Sequence, residues 1–286
     1  MLAKAVATVP DPDSTKGGLR YEPKWDGFRG IVTIDGDDVE IGSRGAKPLT
    51  RYFPELVEAF RAQFGGRDHP VVLDGEVILR SGEPGAERLD WEALSQRIHP
   101  AASRIAKLSV ETPAQFVAFD LLAVDGQELL DLPFDERRER LEQLGDAMTA
   151  PLFVTRTTLD VEQAREWLTT FEGAGLDGVV AKPRARPYEP NKRTMLKIKH
   201  HRTADVVAIG YRVHKSGSGV GSLLVGLYDA DGELRQVGGV SAFTDKRRAA
   251  LVEELEPVVL RDADGRPVTG DGERSRFSSG RDTSFV

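Results

Sequence analysis

The stretch Lys24-Trp25-Asp26-Gly27-Phe28-Arg29 sets a lysine at the end of a short segment, followed by an acid, a glycine and an arginine. Residues 19–35 alternate and break at Asp26-Gly27, which predicts strands on either side of that break. The alternation resumes from Val39 to Ser43 after Asp35-Gly36, a dipeptide suited to a hairpin turn. A lysine amine attacks phosphorus only after losing its proton. Its ordinary pKa is about 10.4, so it needs nearby cations or a dry pocket to do so at neutral pH. Taken alone, the motif carries little weight, because a lysine between Glu22 and Asp26 also fits a salt-bridged surface strand.

Working outward, Phe53, Leu56, Val57, Phe60 and Phe64 fall at helical spacing and predict an amphipathic helix over 52–64. Val71 to Arg80 reads as a strand, and 90–109 as two short helices parted by His99-Pro100. Gln115 to Val124 reads as a buried strand. Asp135 is expected to cap a helix running to Leu144, and Asp160 one running to Phe171. Gly178–Lys182 and Thr194–Lys199 read as further strands. After a hinge at His200-His201-Arg202-Thr203 the texture changes. Val206–Tyr211, Ser222–Tyr228 and Leu234–Ser241 predict strands, and Thr244 a capped helix through Leu255. Three strands and a helix suit a small barrel. Beyond Glu256 no strand is predicted.

Composition narrows the class. The chain has 286 residues, 40% of them apolar and 30% charged, which suits one large or two ordinary soluble domains. No apolar run is long enough to span a membrane, and residues 1–10 are too weakly apolar for a signal peptide. Cysteine is absent, which excludes disulfides, thiolate metal sites and cysteine nucleophiles. A net charge of −7 argues against nucleic-acid binding by bulk charge but leaves room for a local basic groove. Lys182, Arg184, Arg186, Lys192, Arg193, Lys197, Lys199 and Arg202 offer one, with Glu189 the only acid among them. A solvated face explains the same run about as well.

Further segments change the weight of Lys24. In order come Ser43-Arg44-Gly45, Leu73-Asp74-Gly75-Glu76, Ala118-Phe119-Asp120, Asp177-Gly178-Val179-Val180-Ala181-Lys182 and Leu196-Lys197-Ile198-Lys199. From residue 1 to about 245 this ordered set resembles the nucleotidyltransferase motifs of the ATP-dependent DNA ligases. It is most similar to small stand-alone bacterial ligases related to the ligase module of end-joining proteins. The resemblance implies an α+β nucleotidyltransferase fold, ATP-grasp-like antiparallel sheets flanked by helices, over residues 1–201. An OB-fold over 202–286 is implied to clamp over the nucleotide and the nick.

The same resemblance implies roles. Lys24 is the nucleophile that takes AMP from ATP. Lys197 and Lys199 contact the α-phosphate, and their alternation puts both cations on one strand face. Arg29 contacts the ribose and Arg44 the phosphate, tasks suited to a planar fork of donors. Glu76 holds the ribose hydroxyl, and Phe119 stacks on the base. Without that context they are an ordinary strand-edge glutamate and a core phenylalanine. Glu22 reads the adenine amino group, since an acceptor there disfavours guanine. Asp177 and Glu76 are the implied ligands of Mg²⁺ or Mn²⁺. Asp177 departs from the glutamate of many relatives, and its shorter reach puts direct ligation in doubt. Asp26 is read as orienting its loop. Arg184, Arg186, Lys192 and Arg193 are implied to hold DNA phosphates, and Lys215 with the Ser216–Gly221 loop to approach the duplex. A flexible hairpin tip fits that loop equally well.

The expected activity is sealing of nicked double-stranded DNA through lysine-AMP and DNA-adenylate intermediates, by a cytoplasmic monomer with DNA repair or end-joining proteins as partners and no membrane. The family's last basic motif is not found, and Arg274-Ser275-Arg276-Phe277 is the nearest patch. The OB-fold is therefore expected to be truncated and reaction with free ATP slow. Rival readings are an RNA ligase, a capping-type nucleotidyltransferase, or a nucleotide-bound nick-recognition module without turnover.

Overall fold

The computed structural model describes residues 1–45, 47–83, 85–170, 173–199, 203–270 and 283–285. The hinge residues His200 to Arg202 and the Arg274–Phe277 patch lie outside them. The chain divides into two compact units, Met1–His201 and Arg202–Val286.

In chain order the first unit contains β1 (Leu2–Ala5), β2 (Leu19–Lys24), β3 (Phe28–Asp35), β4 (Asp38–Ser43), α1 (Pro54–Phe64) and β5 (Val71–Ile78). There follow β6 (Arg80–Ser81), β7 (Arg88–Leu89), α2 (Trp91–Gln96), α3 (Ala102–Glu111), β8 (Gln115–Val124) and β9 (Gln127–Glu128). Helix α4 (Phe134–Gly145), β10 (Leu152–Val154), α5 (Val161–Thr170), β11 (Gly178–Pro183) and β12 (Arg193–Lys199) complete it. Two sheets dominate: a four-stranded one of order β1-β12-β11-β2, and a larger one of order β10-β8-β5-β3-β4 with β9 on β8.

Side-chain alternation gives each sheet two different faces. On β2, Leu19 and Tyr21 pack with Val179, Ala181 and Ile198 against Ala164 and Trp167 of α5. Arg20, Glu22 and Lys24 belong to the opposite face. On the larger sheet, Leu73, Val77, Phe116 and Ala118 pack against Leu56, Phe60 and Phe64 of α1. The rings of Phe60 and Phe116 meet edge-on at 5.2 Å. Each such ring contributes about 1.5–3 kcal/mol through burial. Asp74 and Glu76, and Val117 and Phe119, alternate with these core positions and face away from α1.

Several elements differ from the sequence reading. The α1 helix starts at Pro54, because proline suits the first helical position, and Thr50–Tyr52 is a 3-10 turn. Asp135 does not cap α4. Pro133 precedes that helix, and Asp135 in its first turn accepts from Arg20 Nε at 3.0 Å and Arg184 Nε at 2.6 Å. Strands β1 and β10 were not expected, being too short for alternation to register. Both are parallel additions, to β12 and β8. No helix of the described residues is long and apolar enough to cross a membrane.

The second unit holds β13 (Val207–Val213), β14 (Val220–Tyr228), β15 (Leu234–Val240), α6 (Asp245–Leu255), β16 (Thr269–Gly270) and β17 (Thr283–Phe285). Its sheet runs β15-β14-β13-β17-β16, so two short strands follow Glu256 where none was expected. Among the described residues no pairing joins the outer strands β15 and β16 into a closed barrel. Thr244 caps α6, its Oγ1 accepting from the Arg247 N–H at 3.3 Å.

Candidate active site

Strand β2 ends on Lys24, where the Asp177 N–H donates to the Lys24 carbonyl at 2.9 Å and ties this strand to the start of β11. The chain then turns through Gly27, which lies against β5. A Cβ there would meet the Val77 carbonyl oxygen at 2.1 Å, so only glycine lets this turn pass. Gly178 is equally constrained, with φ +138° and the Ile198 carbonyl oxygen 1.9 Å from any added Cβ. These contacts hold β2, β11 and β12 in register: Gly178 sits opposite both Lys24 and Lys199, and Val180 opposite Glu22 and Lys197.

That register assembles a charged cluster. Lys24 Nζ lies 2.7 Å from Asp177 Oδ2, and Lys199 Nζ lies 2.5 Å from the same oxygen. Burial acts to raise the Asp177 carboxyl, but hydrogen bonds from Lys199 and Lys24 outweigh it and hold the group below the usual carboxylate range. Lys197 is held below the usual lysine range, first by desolvation and then by repulsion from Lys199 and Lys24. A cleft of about 390 Å³ opens beside this cluster. Glu22, Lys24, Arg29, Arg44, Glu76, Phe119, Lys197 and Lys199, the residues named from sequence for nucleophile and nucleotide, all line it. Asp177 is not among the lining residues and reaches the cleft through its two lysines.

Arg29 and Glu76 are neighbours across β3 and β5. Arg29 is largely committed within the protein. Its Nε donates to Asp74 Oδ1 at 2.9 Å and its Nη2 to Asp74 Oδ2 at 2.6 Å. Nη2 also donates to the Tyr188 hydroxyl at 3.2 Å, and Nη1 to the Met1 carbonyl. Tyr188 donates to Asp74 Oδ2 at 2.8 Å. Only a remaining Nη1 hydrogen is free to meet a ribose oxygen.

Burial pushes the Glu76 carboxyl up to about 8, against the opposing pull of Lys24. The folded chain holds this proton to higher pH than the unfolded chain, whose Glu titrates near about 4.3. Folding is therefore progressively disfavoured as pH rises from that value to about 8. The Glu76→Gln variant should melt at the same temperature as wild type in acid and at a higher one above that window. Parallel melting profiles across pH would show that Glu76 carries no such linkage.

At the other end of the cleft, Glu22 is buried and pairs with Lys182 at 2.8 Å. The sequence puts Lys182 in a basic run that fits a groove or a solvated face; it is only 3% exposed, and it lines the cleft. Its alternation with Val180 and Gly178 was the signal that it shares their face. Asp74 and Tyr188 were also missed as partners of Arg29. The Trp25 indole, which donates to Thr155 Oγ1 at 2.9 Å, was missed as part of the cleft wall.

The residues assigned to DNA separate. Arg193 lines the cleft. Arg184 is engaged by Asp135, whereas Lys192 lies 3.1 Å and Arg186 3.8 Å from Glu189. The single acid of that stretch thus holds two of its cations. Lys215 belongs to the second unit, beside Arg212 and His214.

Comparison with known proteins gives the family. The family profile described as ATP dependent DNA ligase domain matches residues 1–199. DNA ligase C1 of Mycolicibacterium smegmatis is 54% identical over 286 residues, covering 100% of this chain and 79% of that protein. DNA ligase C of Mycobacterium tuberculosis is 49% identical over 304 residues, covering 100% of this chain and 80% of that protein. Among solved structures, mycobacterial DNA ligase D complexed with ATP and MES aligns with a TM-score of 0.55 at 28% identity, covering 100% of this chain and 84% of the other. A lysine at the mouth of a cationic cleft and this breadth of likeness lead to one conclusion: the chain belongs to the ATP-dependent DNA ligase family.

Proposed function

We propose that the chain seals nicks in duplex DNA with Lys24 as the nucleophile. The Lys24 amine forms a phosphoramide bond to the α-phosphorus of ATP as the bond to pyrophosphate breaks. The nick 5′-phosphate then takes AMP from the lysine, and the 3′-hydroxyl displaces AMP to close the strand. The observation that carries this reading is the convergence of Lys24, Lys197 and Lys199 with Glu22 and Phe119 in one cleft. The two strand-mate lysines stabilise phosphate oxygens that gain charge in the transition state. Phe119 offers a face for the base, Glu22 an acceptor for its amino group, and Glu76 and Arg29 approach the sugar.

The residues fit a divalent ion only in part. Among the described residues no cluster of three or more His, Cys, Asp or Glu forms a cage. Asp177 would hold Mg²⁺ or Mn²⁺ together with substrate phosphates, which is how magnesium is commonly held, and Glu76 would join it only on losing the proton that burial keeps on it up to about 8. The ion supplies charge neutralisation at those phosphates when bound. Asp177 is already shared by two ammonium groups, so its part is to position Lys24 and Lys199 as well.

We assign the second unit to an OB-fold, on the support of its β13–β15 meander and the capped helix α6. Arg44 at the cleft is proposed to meet the nucleotide phosphate, and Arg193 at the cleft and Lys215 in the second unit to meet DNA phosphates, with end-joining proteins as partners. The test is incubation of the chain with ATP, Mg²⁺ and a nicked duplex. A joined strand together with an AMP adduct mapped to Lys24 by mass spectrometry is expected. Joining with the adduct on another residue would refute the assignment.

A further inference from the structure

The further inference concerns base choice, and it rests on the adenylation reading of the cleft. Lys182 lines that cleft, yet its ammonium group is used up inside the protein. It pairs with Glu22 Oε2 at 2.8 Å and donates to the Phe119 carbonyl at 2.9 Å. It also sits over the rings of Phe119 and Phe134 at 4.7 and 4.6 Å. Two of its three hydrogens are thereby taken by protein oxygens, and the ammonium is flanked by two rings rather than turned to a phosphate. Glu22 is satisfied on one side only. Its Oε1 is buried and has no hydrogen-bond partner among the described residues. An unpaired buried carboxylate oxygen is costly unless a ligand meets it.

We propose that Lys182 is a specificity-determining positioning residue: by fixing the buried Glu22 carboxylate and neutralising it, Lys182 makes this end of the cleft a pure acceptor for the amino edge of adenine. Adenine presents an amino donor where guanine presents a carbonyl acceptor. An ionised carboxylate can only accept, so it pairs with the first and repels the second. The charged groups facing Glu22 are Lys182 from β11, Arg138 from α4 and Asp120 from β8. Burial pushes the Glu22 carboxyl upward and Asp120 adds to that push; Lys182 and Arg138 pull it down without cancelling it, so the group stays above the usual carboxylate range and Lys182 is what limits the rise. Without Lys182 the carboxyl takes up a proton, becomes a donor and matches a carbonyl edge.

The test is equilibrium binding of ATP and of GTP to wild type, Lys182→Met and the double variant Glu22→Gln/Lys182→Met, at neutral and mildly acidic pH. Wild type should prefer ATP at neutral pH, where the 2.8 Å pair with Lys182 favours the ionised carboxylate, and less strongly in acid. In Lys182→Met the preference should shrink roughly ten-fold or more, and further in acid. The double variant leaves no unpaired buried charge, which guards against simple misfolding. Its amide offers both a donor and an acceptor, so its preference should be lost without pH dependence. Equal weakening of both nucleotides, with the wild-type ATP-to-GTP ratio kept in both variants, would overturn the role given to Lys182. A wild type that binds neither nucleotide would overturn the adenylation reading, and this inference with it.

Discussion

Lys24→Ala should abolish covalent AMP on the protein and nick joining from ATP, a loss on the order of 10⁴-fold or more. The reason is chemical. Asp177 holds the Lys24 amine at 2.7 Å, and no other lysine of the cleft stands on β2 to replace it. The last step should be spared. Once AMP is on the DNA, the lysine has left the reaction, and closure needs only the 3′-hydroxyl, the adenylate and the surrounding cations. A nick supplied already adenylated should therefore be joined by Lys24→Ala at a rate within about ten-fold of wild type. Labelled AMP surviving on the alanine variant would rule out this nucleophile. Equal loss on the adenylated nick would mean that the substitution had damaged the cleft itself.

Arg137→Met should cost the most stability. The Arg137 side chain is 0% and that of Asp120 3% exposed. Its Nε and Nη2 donate to the two Asp120 oxygens at 2.8 and 2.9 Å, and its Nη1 to the Leu132 carbonyl at 2.6 Å. The guanidinium also lies 5.6 Å from the Phe134 ring and 5.7 Å from that of Tyr188. A surface ion pair contributes about 0–1 kcal/mol, but stripping one partner from a buried pair costs about 3–5 kcal/mol, because the other charge stays behind. Urea denaturation should show a loss in that range, and Asp120→Asn in the same chain should recover much of it. A loss under about 1 kcal/mol would mean that water reaches Asp120 freely.

The readable parts of this fold were those where period and chemistry agree. Glu22 and Lys24 alternate with Leu19 and Tyr21, so one strand announced both a core face and a reactive one. Gln115–Val124 was legible for the same reason, as a long apolar run closed by Asp125-Gly126. Strands β1 and β10 were not, since a few residues added in parallel to an existing edge carry no period of their own. At the site, Lys197 and Lys199 were legible as a same-face pair. Lys182 was not, because charge counting treats every lysine as solvated, whereas this one takes its solvation from a carboxylate, a carbonyl and two rings. Asp135 looked like a helix cap because its position was right. Its oxygens instead serve two arginines from β2 and the end of β11.

The order of strands in the smaller sheet has a consequence for synthesis of the chain. Leu19–Lys24 pairs with Gly178–Pro183, and Leu2–Ala5 with Arg193–Lys199. Partners so distant along the polypeptide make for slow folding, because a large loop must close before they meet. A ribosome-bound chain that has not yet released β11 and β12 holds Lys24 on an unpaired strand, without Asp177 to hold its amine and without Lys197 and Lys199 beside it. If Lys24 is the nucleophile proposed above, such nascent chains should take up no AMP until the last strands of the first unit arrive.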